Sequence, residues 1–216
     1  MSKVKIKFCG MRTEESLVYA IGLGVDYLGF VVDYDKSPRS TSLAKFLETA
    51  TWLKKNKKGK YKIVAVTVDM PLDNIERIIK SKVVDVLQLH GNEGEEMLRP
   101  INGIEVWKAW NDSSKGDVFK IAKRVDKILL DSGNALQKAT NKSGEFNAFN
   151  LYKDLKKKKI DVVVSGGIDN SNIAMFLKKL EPEIIDISRG IETLSGKKSK
   201  HKMKKIIEAV NDYYKS

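Results

Sequence analysis

Apolar residues along this chain gather into eight short runs: Val4–Phe8, Tyr27–Val32, Lys62–Val68, Val84–Leu89, Glu105–Trp110, Lys127–Leu130, Asp161–Val164 and Ile184–Ile187. Each run ends in a small or polar cluster and is followed by a stretch of helical character. The third run, Ile63-Val64-Ala65-Val66-Thr67-Val68, is apolar at nearly every position, which suits a parallel strand buried on both faces. Eight strands alternating with eight helices is the count of a closed (β/α)8 barrel, an α/β fold whose chemistry sits where strands end and loops begin.

Local signals place the helices. Thr13 is a good N-cap, with Glu14 and Glu15 in the first turn, and the helix it opens ends near Gly22 or Gly24. Ser42 is placed to cap a helix carrying Leu43, Phe46, Leu47, Ala50 and Leu53 at helical spacing. Pro71 suits the first turn of a helix through Ile79. Asn92 is expected to cap a short helix after the fourth strand. Further helices are expected over Lys115–Arg124, near Asn150–Lys158, from Asn170 through Leu180, and over about Lys200–Tyr213, with a long polar loop from Ser132 to Asn147. Only four prolines occur, and they are scattered. No linker interrupts the alternation, so residues 1–216 are expected to form a single barrel domain.

Composition narrows the class. One cysteine in 216 residues excludes an intrachain disulfide framework. The N-terminal residues enter a strand without an apolar signal core, and the apolar runs are too short to span a bilayer. The expectation is a cytoplasmic protein with no membrane partner, in which the sequons at Asn111 and Asn141 are chance matches. The formal net charge is +12, and lysines dominate it. Their clusters at Lys54–Lys60, Lys156–Lys159 and Lys197–Lys205 are spread around the chain without interleaved aromatics. They read as a solvated surface, and a basic nucleic-acid-binding protein is the weaker alternative.

Candidate chemistry stands at the strand ends. Ser165-Gly166-Gly167 follows the seventh run and Ser188-Arg189-Gly190 the eighth. Phosphate sites in such barrels are often built by these two loops, because glycines let backbone N–H groups approach an anion closely. Ser143 and Gly144 in the preceding loop are candidate further donors. Cys9 ends the first run and Asp131 the sixth. A thiol of lowered pKa can take a proton and a carboxyl of raised pKa can give one, whereas a small buried core residue and a loop hydrogen-bonder are the plain readings of the same positions. Arg39 follows Pro38 in the loop after the second run, and arginine pairs bidentately with carboxylates. His90 ends the fourth run. With two histidines in the chain, His201 being in the terminal helix, a metal-dependent phosphosugar epimerase finds little support.

In combination, Lys7-Phe8-Cys9-Gly10-Met11-Arg12, Gly29-Phe30-Val31, Ser37-Pro38-Arg39, Leu87-Gln88-Leu89-His90-Gly91, Leu129-Leu130-Asp131, Ser165-Gly166-Gly167-Ile168 and Asp186-Ile187-Ser188-Arg189-Gly190-Ile191-Glu192 resemble the phosphoribosylanthranilate isomerase family, in the family's order and over nearly the whole chain. The resemblance implies a cofactor-free, metal-free Amadori rearrangement of a phosphosugar substrate, N-(5-phosphoribosyl)anthranilate, in tryptophan biosynthesis. It also implies roles: Cys9 as general base, Asp131 as general acid, Arg39 on the substrate carboxylate, His90 near the substrate, and Gly144, Gly166, Gly167, Ser188, Arg189 and Gly190 on the phosphate. The chain departs from the family pattern in two loops. Asn141-Lys142-Ser143-Gly144 stands where Gly-Gly-Thr-Gly is usual, and Arg189 replaces a small residue, usually serine. Another phosphosugar barrel isomerase or epimerase is the alternative, and monomer and homodimer both remain open.

Overall fold

Eight parallel strands form where the apolar runs lie. They are β1 (Lys5–Cys9), β2 (Tyr27–Val32), β3 (Lys62–Thr67), β4 (Val86–Leu89), β5 (Glu105–Trp110), β6 (Lys127–Asp131), β7 (Val162–Ser165) and β8 (Ile184–Ile187). Each pairs in parallel with its neighbour in sequence, and β8 pairs with β1, so the sheet closes into a (β/α)8 barrel. A two-residue strand, Ser40–Thr41, extends β2 at the rim. The computed structural model describes residues 3–111, 113–132, 148–194 and 196–215. Among these, seven helices surround the barrel: α1 (Glu14–Gly22), α2 (Leu43–Asn56), α3 (Leu72–Lys80), α4 (Val118–Ile121), α5 (Ala148–Lys157), α6 (Ile173–Leu180) and α7 (Lys200–Tyr213). None is long and apolar enough to cross a membrane.

The expected caps form. Thr13 accepts the Ser16 amide and Ser42 accepts the Lys45 amide, which satisfies orphan donors at the starts of α1 and α2. Three expectations shift. The Asn92 helix is absent: residues 90–104 run as turns, in a segment broken by Gly91, Gly94, Pro100 and Gly103. The expected Lys115–Arg124 helix shrinks to the single turn α4, because Gly116 sits at φ +95 just before its Asp117 cap. The Asn170 helix begins only at Ile173. Asn172 Oδ1 accepts the Asp169 amide and its Nδ2 donates to Gly167 O, so this asparagine ties down the preceding loop instead.

Side chains alternate along each strand, so one set fills the barrel and the other meets the helices. The inner set includes Tyr27, Val31, Val64, Val66, Val86, Trp107, Ala109, Leu129, Val163 and Ile184, nearly all fully buried. Trp107 and Tyr27 pack at a 5.1 Å centroid separation. The larger outer core includes Leu17, Leu28, Phe30, Phe46, Leu53, Ile78, Ile128, Phe176 and Ile206. Each such buried side chain contributes roughly 1.5–3 kcal/mol.

A repeated device ties the strands at the N-terminal rim. Asp26, Asp85 and Asp126 each follow a valine and immediately precede β2, β4 and β6. Their carboxylates accept the amides of Ile6, Ile63 and Val106 on β1, β3 and β5 at 2.8, 2.7 and 2.7 Å. One Val-Asp pair thus joins each of β2, β4 and β6 to the odd strand before it. Below Trp107 the barrel floor is ionic: Glu105 pairs with Lys62, lies 3.6 Å from Lys127 and accepts the indole N–H at 2.9 Å.

Candidate active site

Polar residues on the inner face gather at the opposite, C-terminal end. Asp131, Ser165, Asp186 and Lys7 are register partners on four successive strands, β6, β7, β8 and β1, and together form one polar rung. Cys9 stands two residues beyond Lys7 and therefore points the same way. Above this rung lies a cavity of about 400 Å³ whose walls include Cys9, Arg39, His90, Asp131, Ser188 and Arg189, along with Tyr34, Gln88, Ser165 and Asp186. Six of the sequence-predicted site residues thus meet in one place. Gly166, Gly167 and Gly190 do not line the cavity; they follow directly on its lining residues Ser165 and Arg189. Gly144 and Ser143 lie outside the described residues.

Glycines make room for the chemistry. Gly29 faces Cys9 in the β1–β2 register. A Cβ there would come within 3.1 Å of Cys9 Sγ, Lys7 Cε and Lys7 Nζ. Gly10, at φ +74, leaves space for the Arg39 side chain, whose Cδ would lie 2.9 Å from an added Cβ. Gly190 lets the last two strand-end loops touch: a Cβ there would fall 2.0 Å from Ile168 O.

Arg39 is held from behind. Glu192 receives its Nε and Nη2 protons at 2.8 and 2.7 Å. Lys198, nearly fully buried, donates to the same carboxylate at 2.7 Å and to Ser188 O at 3.1 Å. Burial alone would push the Glu192 carboxyl up, but hydrogen bonds from Arg39 and Lys198 outweigh it and hold it below its usual range. Burial pulls the Lys198 ammonium down. Glu192 and Lys198 belong to a small antiparallel hairpin, Glu192–Leu194 with Lys197–Lys198, which links β8 to α7.

Across the cavity, His90 Nε2 lies 3.4 Å from Asp131 Oδ2. Gln88 Nε2 donates to His90 Nδ1 at 3.0 Å. With Nδ1 accepting, the hydrogen-bond pattern places the neutral ring's proton on Nε2, facing the carboxylate. Burial pushes the Cys9 thiol up from its ordinary value, and the nearby Lys7 ammonium opposes that shift. For Lys7, burial acts downward, but Asp186 and Cys9 outweigh it and the ammonium titrates above its usual range. Lys7 and Asp186 form an ion pair at 2.9 Å, with both side chains almost wholly buried.

Lys7, Asp186, Glu192 and Lys198 were not singled out by position alone. The available signal was alternation: Lys7 is two residues from Cys9, and Asp186 two from Ser188, so each shares its neighbour's face. No such local rule brings Glu192 and Lys198 to Arg39. Among the described residues, no group of three or more His, Cys, Asp or Glu is placed to hold a metal ion.

Residues 6–209 match the family model for N-(5'phosphoribosyl)anthranilate (PRA) isomerase. An N-(5'-phosphoribosyl)anthranilate isomerase of Caldanaerobacter subterraneus subsp. tengcongensis is 36% identical over 208 residues, covering 96% of this chain and 98% of its own. One from Clostridium kluyveri is 32% identical over 210 residues, covering 97% and 98%. Among solved structures, a phosphoribosyl anthranilate isomerase in complex with reduced 1-(o-carboxyphenylamino)-1-deoxyribulose 5-phosphate superposes with a TM-score of 0.77 at 26% identity, over 97% of this chain and 99% of that one. The structure of mutually generated monomers of dimeric phosphoribosylanthranilate isomerase from Thermotoga maritima gives a TM-score of 0.75 at 27% identity, over 96% of this chain and 98% of that one.

Proposed function

We propose a division of labour between Cys9 and Asp131 for this chain, which belongs to the N-(5'-phosphoribosyl)anthranilate isomerase family and whose activity is the isomerisation of N-(5'-phosphoribosyl)anthranilate in tryptophan biosynthesis. The observation that carries the reading is that one cavity receives a thiol from β1, a carboxyl from β6 and a guanidinium from the loop after β2. The substrate is an aminoaldose and the product an aminoketose, so one proton must leave C2 and another must reach the ring oxygen.

Asp131 as acid protonates the ribose ring oxygen, and the C1–O bond breaks as the nitrogen lone pair forms an iminium. Cys9 as thiolate removes the C2 proton, and the C–H electron pair moves toward the iminium to give an enolamine. Tautomerisation then delivers the ketone. The iminium makes the C2 proton acidic, so the nitrogen is the electron sink and a modest base suffices. His90 orients Asp131, and Gln88 orients His90.

Arg39 binds the anthranilate carboxylate with the donors that Glu192 leaves uncommitted. The phosphate is held by the loops after β7 and β8, through Gly166, Gly167, Ser188, Arg189 and Gly190, with Gly144 added from the loop after β6. Gly166 and Gly167 both adopt positive φ, +102 and +65, which turns successive backbone N–H groups in a way that suits an anion. The net charge of +12 favours encounter with a substrate that carries both a phosphate and a carboxylate.

The test is Asp131→Asn, which keeps the shape and removes the proton. Its kcat on freshly prepared N-(5'-phosphoribosyl)anthranilate is expected to fall about a hundredfold to ten-thousandfold. A kcat within a factor of three or so of wild type would transfer the acid role elsewhere.

A further inference from the structure

A lysine buried inside a barrel needs a reason, because leaving water costs an ammonium several kcal/mol unless partners compensate. Lys7 is fully buried on the inner face of β1. Its Nζ lies 2.9 Å from Asp186 Oδ1, but both atoms lack a well-oriented hydrogen bond, so this contact is chiefly electrostatic. The Cys9 sulfur is the other group that acts on this ammonium. Lys7 Nζ and Cys9 Sγ lie at the same 3.1 Å from the position a Cβ on Gly29 would take, so both crowd the notch that this glycine leaves open.

We propose that Lys7 is the positioning residue of this site: its buried ammonium, held by Asp186, is the counter-charge that stabilises the Cys9 thiolate. The proposal deepens the reading of Cys9 as general base and rests on it. Three charged groups act on the sulfur at close range: Lys7 on the same strand, Asp186 on β8 and Lys198 on the hairpin that follows β8. Arg39, Arg189, His90 and Asp131 stand further round the same cavity. The two lysines favour the thiolate and Asp186 disfavours it, with Lys7 the strongest of the three. Asp186 keeps Lys7 charged, so the carboxylate works against the thiolate directly and for it through the lysine. When Cys9 takes the C2 proton, the thiolate's negative charge and the iminium's positive charge cancel, so Lys7 favours the thiolate before the transfer and faces a neutral thiol after it.

Cys9 is the chain's single cysteine, so alkylation by iodoacetamide reports on it alone. The experiment measures the alkylation rate against pH for wild type, Lys7→Met, Asp186→Asn and the double variant, with circular dichroism to confirm folding. A neutral pair replaces the ion pair in the double variant, which keeps the test available if Lys7→Met does not fold. The thiolate midpoint is expected to rise by about one to two pH units in Lys7→Met. The rise should be smaller in the double variant, and Asp186→Asn should move the midpoint downward. The ascending limb of kcat/KM, which reports the base of the free enzyme, should follow the same order. A folded double variant whose midpoint is no higher than that of Asp186→Asn overturns the proposal. Cys9→Ser separates this failure from that of the underlying reading: a Cys9→Ser enzyme with near-normal turnover removes Cys9 as base, and with it the functional purpose of Lys7. A dead Cys9→Ser enzyme beside an unmoved midpoint removes Lys7 alone.

Discussion

Glu192 grips Arg39 with both carboxylate oxygens, at 2.8 and 2.7 Å, while the same carboxylate receives Lys198 at 2.7 Å and the Gly196 amide at 3.2 Å. One acidic side chain therefore aims the guanidinium and fastens the hairpin after β8 to the loop after β2. Gly196 tightens that junction, since a Cβ on it would fall 2.6 Å from Pro38 O.

Removing Glu192 leaves Arg39 and the buried Lys198 without their counter-charge. Breaking a buried ion pair from one side costs about 3–5 kcal/mol. Arg39 is 18% exposed, which places Glu192→Ala near the lower end, at about 3 kcal/mol. Urea unfolding measures this. In the same variant KM is expected to rise roughly tenfold, the equivalent of about 1.4 kcal/mol, with a smaller change in kcat, because Arg39 loses its aim while Cys9 and Asp131 stay in place.

Gly190 tests whether the last two strand-end loops must touch. A Cβ there would strike the Ile168 carbonyl oxygen and Asp169 Cα, and neither backbone atom can swing away. Gly190→Ala is expected to cost about 1–3 kcal/mol and to raise KM. Gly22→Ala is the control: a Cβ meets nothing within 4 Å at the end of α1, so thermal unfolding should show no loss of stability.

Stability should fall on the alkaline side. The Cys9 thiol is raised by burial, so the folded state keeps its proton after the unfolded chain has lost it. The Lys7 ammonium is also raised, against burial, by Asp186 and Cys9; its contribution is present below the unfolded lysine value and is lost as pH climbs through the folded one. Both signs agree. The unfolding free energy is expected to decline above about pH 9, where an unfolded thiol ionises, and more steeply above about 10.5, where an unfolded lysine loses its proton while Lys7 keeps its own. Cys9→Ser should flatten the first part of that decline in a pH series of urea melts.

The eight strands were legible because barrel strands are buried on both faces and read as unbroken apolar runs. Tyr27–Val32, Glu105–Trp110 and Ile184–Ile187 have the expected bounds. The connection from β4 to β5 was misread. Leu98, Met97 and Ile101 pack on the core there from turns and not from one helical stripe, and the buried Lys108–Glu93 ion pair, with Lys108 also donating to Gly91 O at 2.6 Å, ties the start of the segment, so helical periodicity had little to report. Cys9, Arg39, His90 and Asp131 stood out because each ends or follows a strand run, where the fold concentrates function. Glu192 and Lys198 reach Arg39 from about 150 positions away in the chain, and only the closed barrel brings them there. The Lys7–Asp186 pair is likewise a product of closure, since β1 and β8 are the first and last strands.

The central claim is that Cys9 takes the proton that defines this reaction, and turnover of freshly prepared N-(5'-phosphoribosyl)anthranilate by Cys9→Ser tests it most directly. Serine preserves the shape of the site and supplies a far weaker acid, so its oxyanion is not populated near neutral pH. The expected kcat is at least about a hundredfold below wild type, with KM little changed and the fold intact. Turnover by folded Cys9→Ser at close to the wild-type rate would contradict it and leave Cys9 as a packing residue beside Gly29.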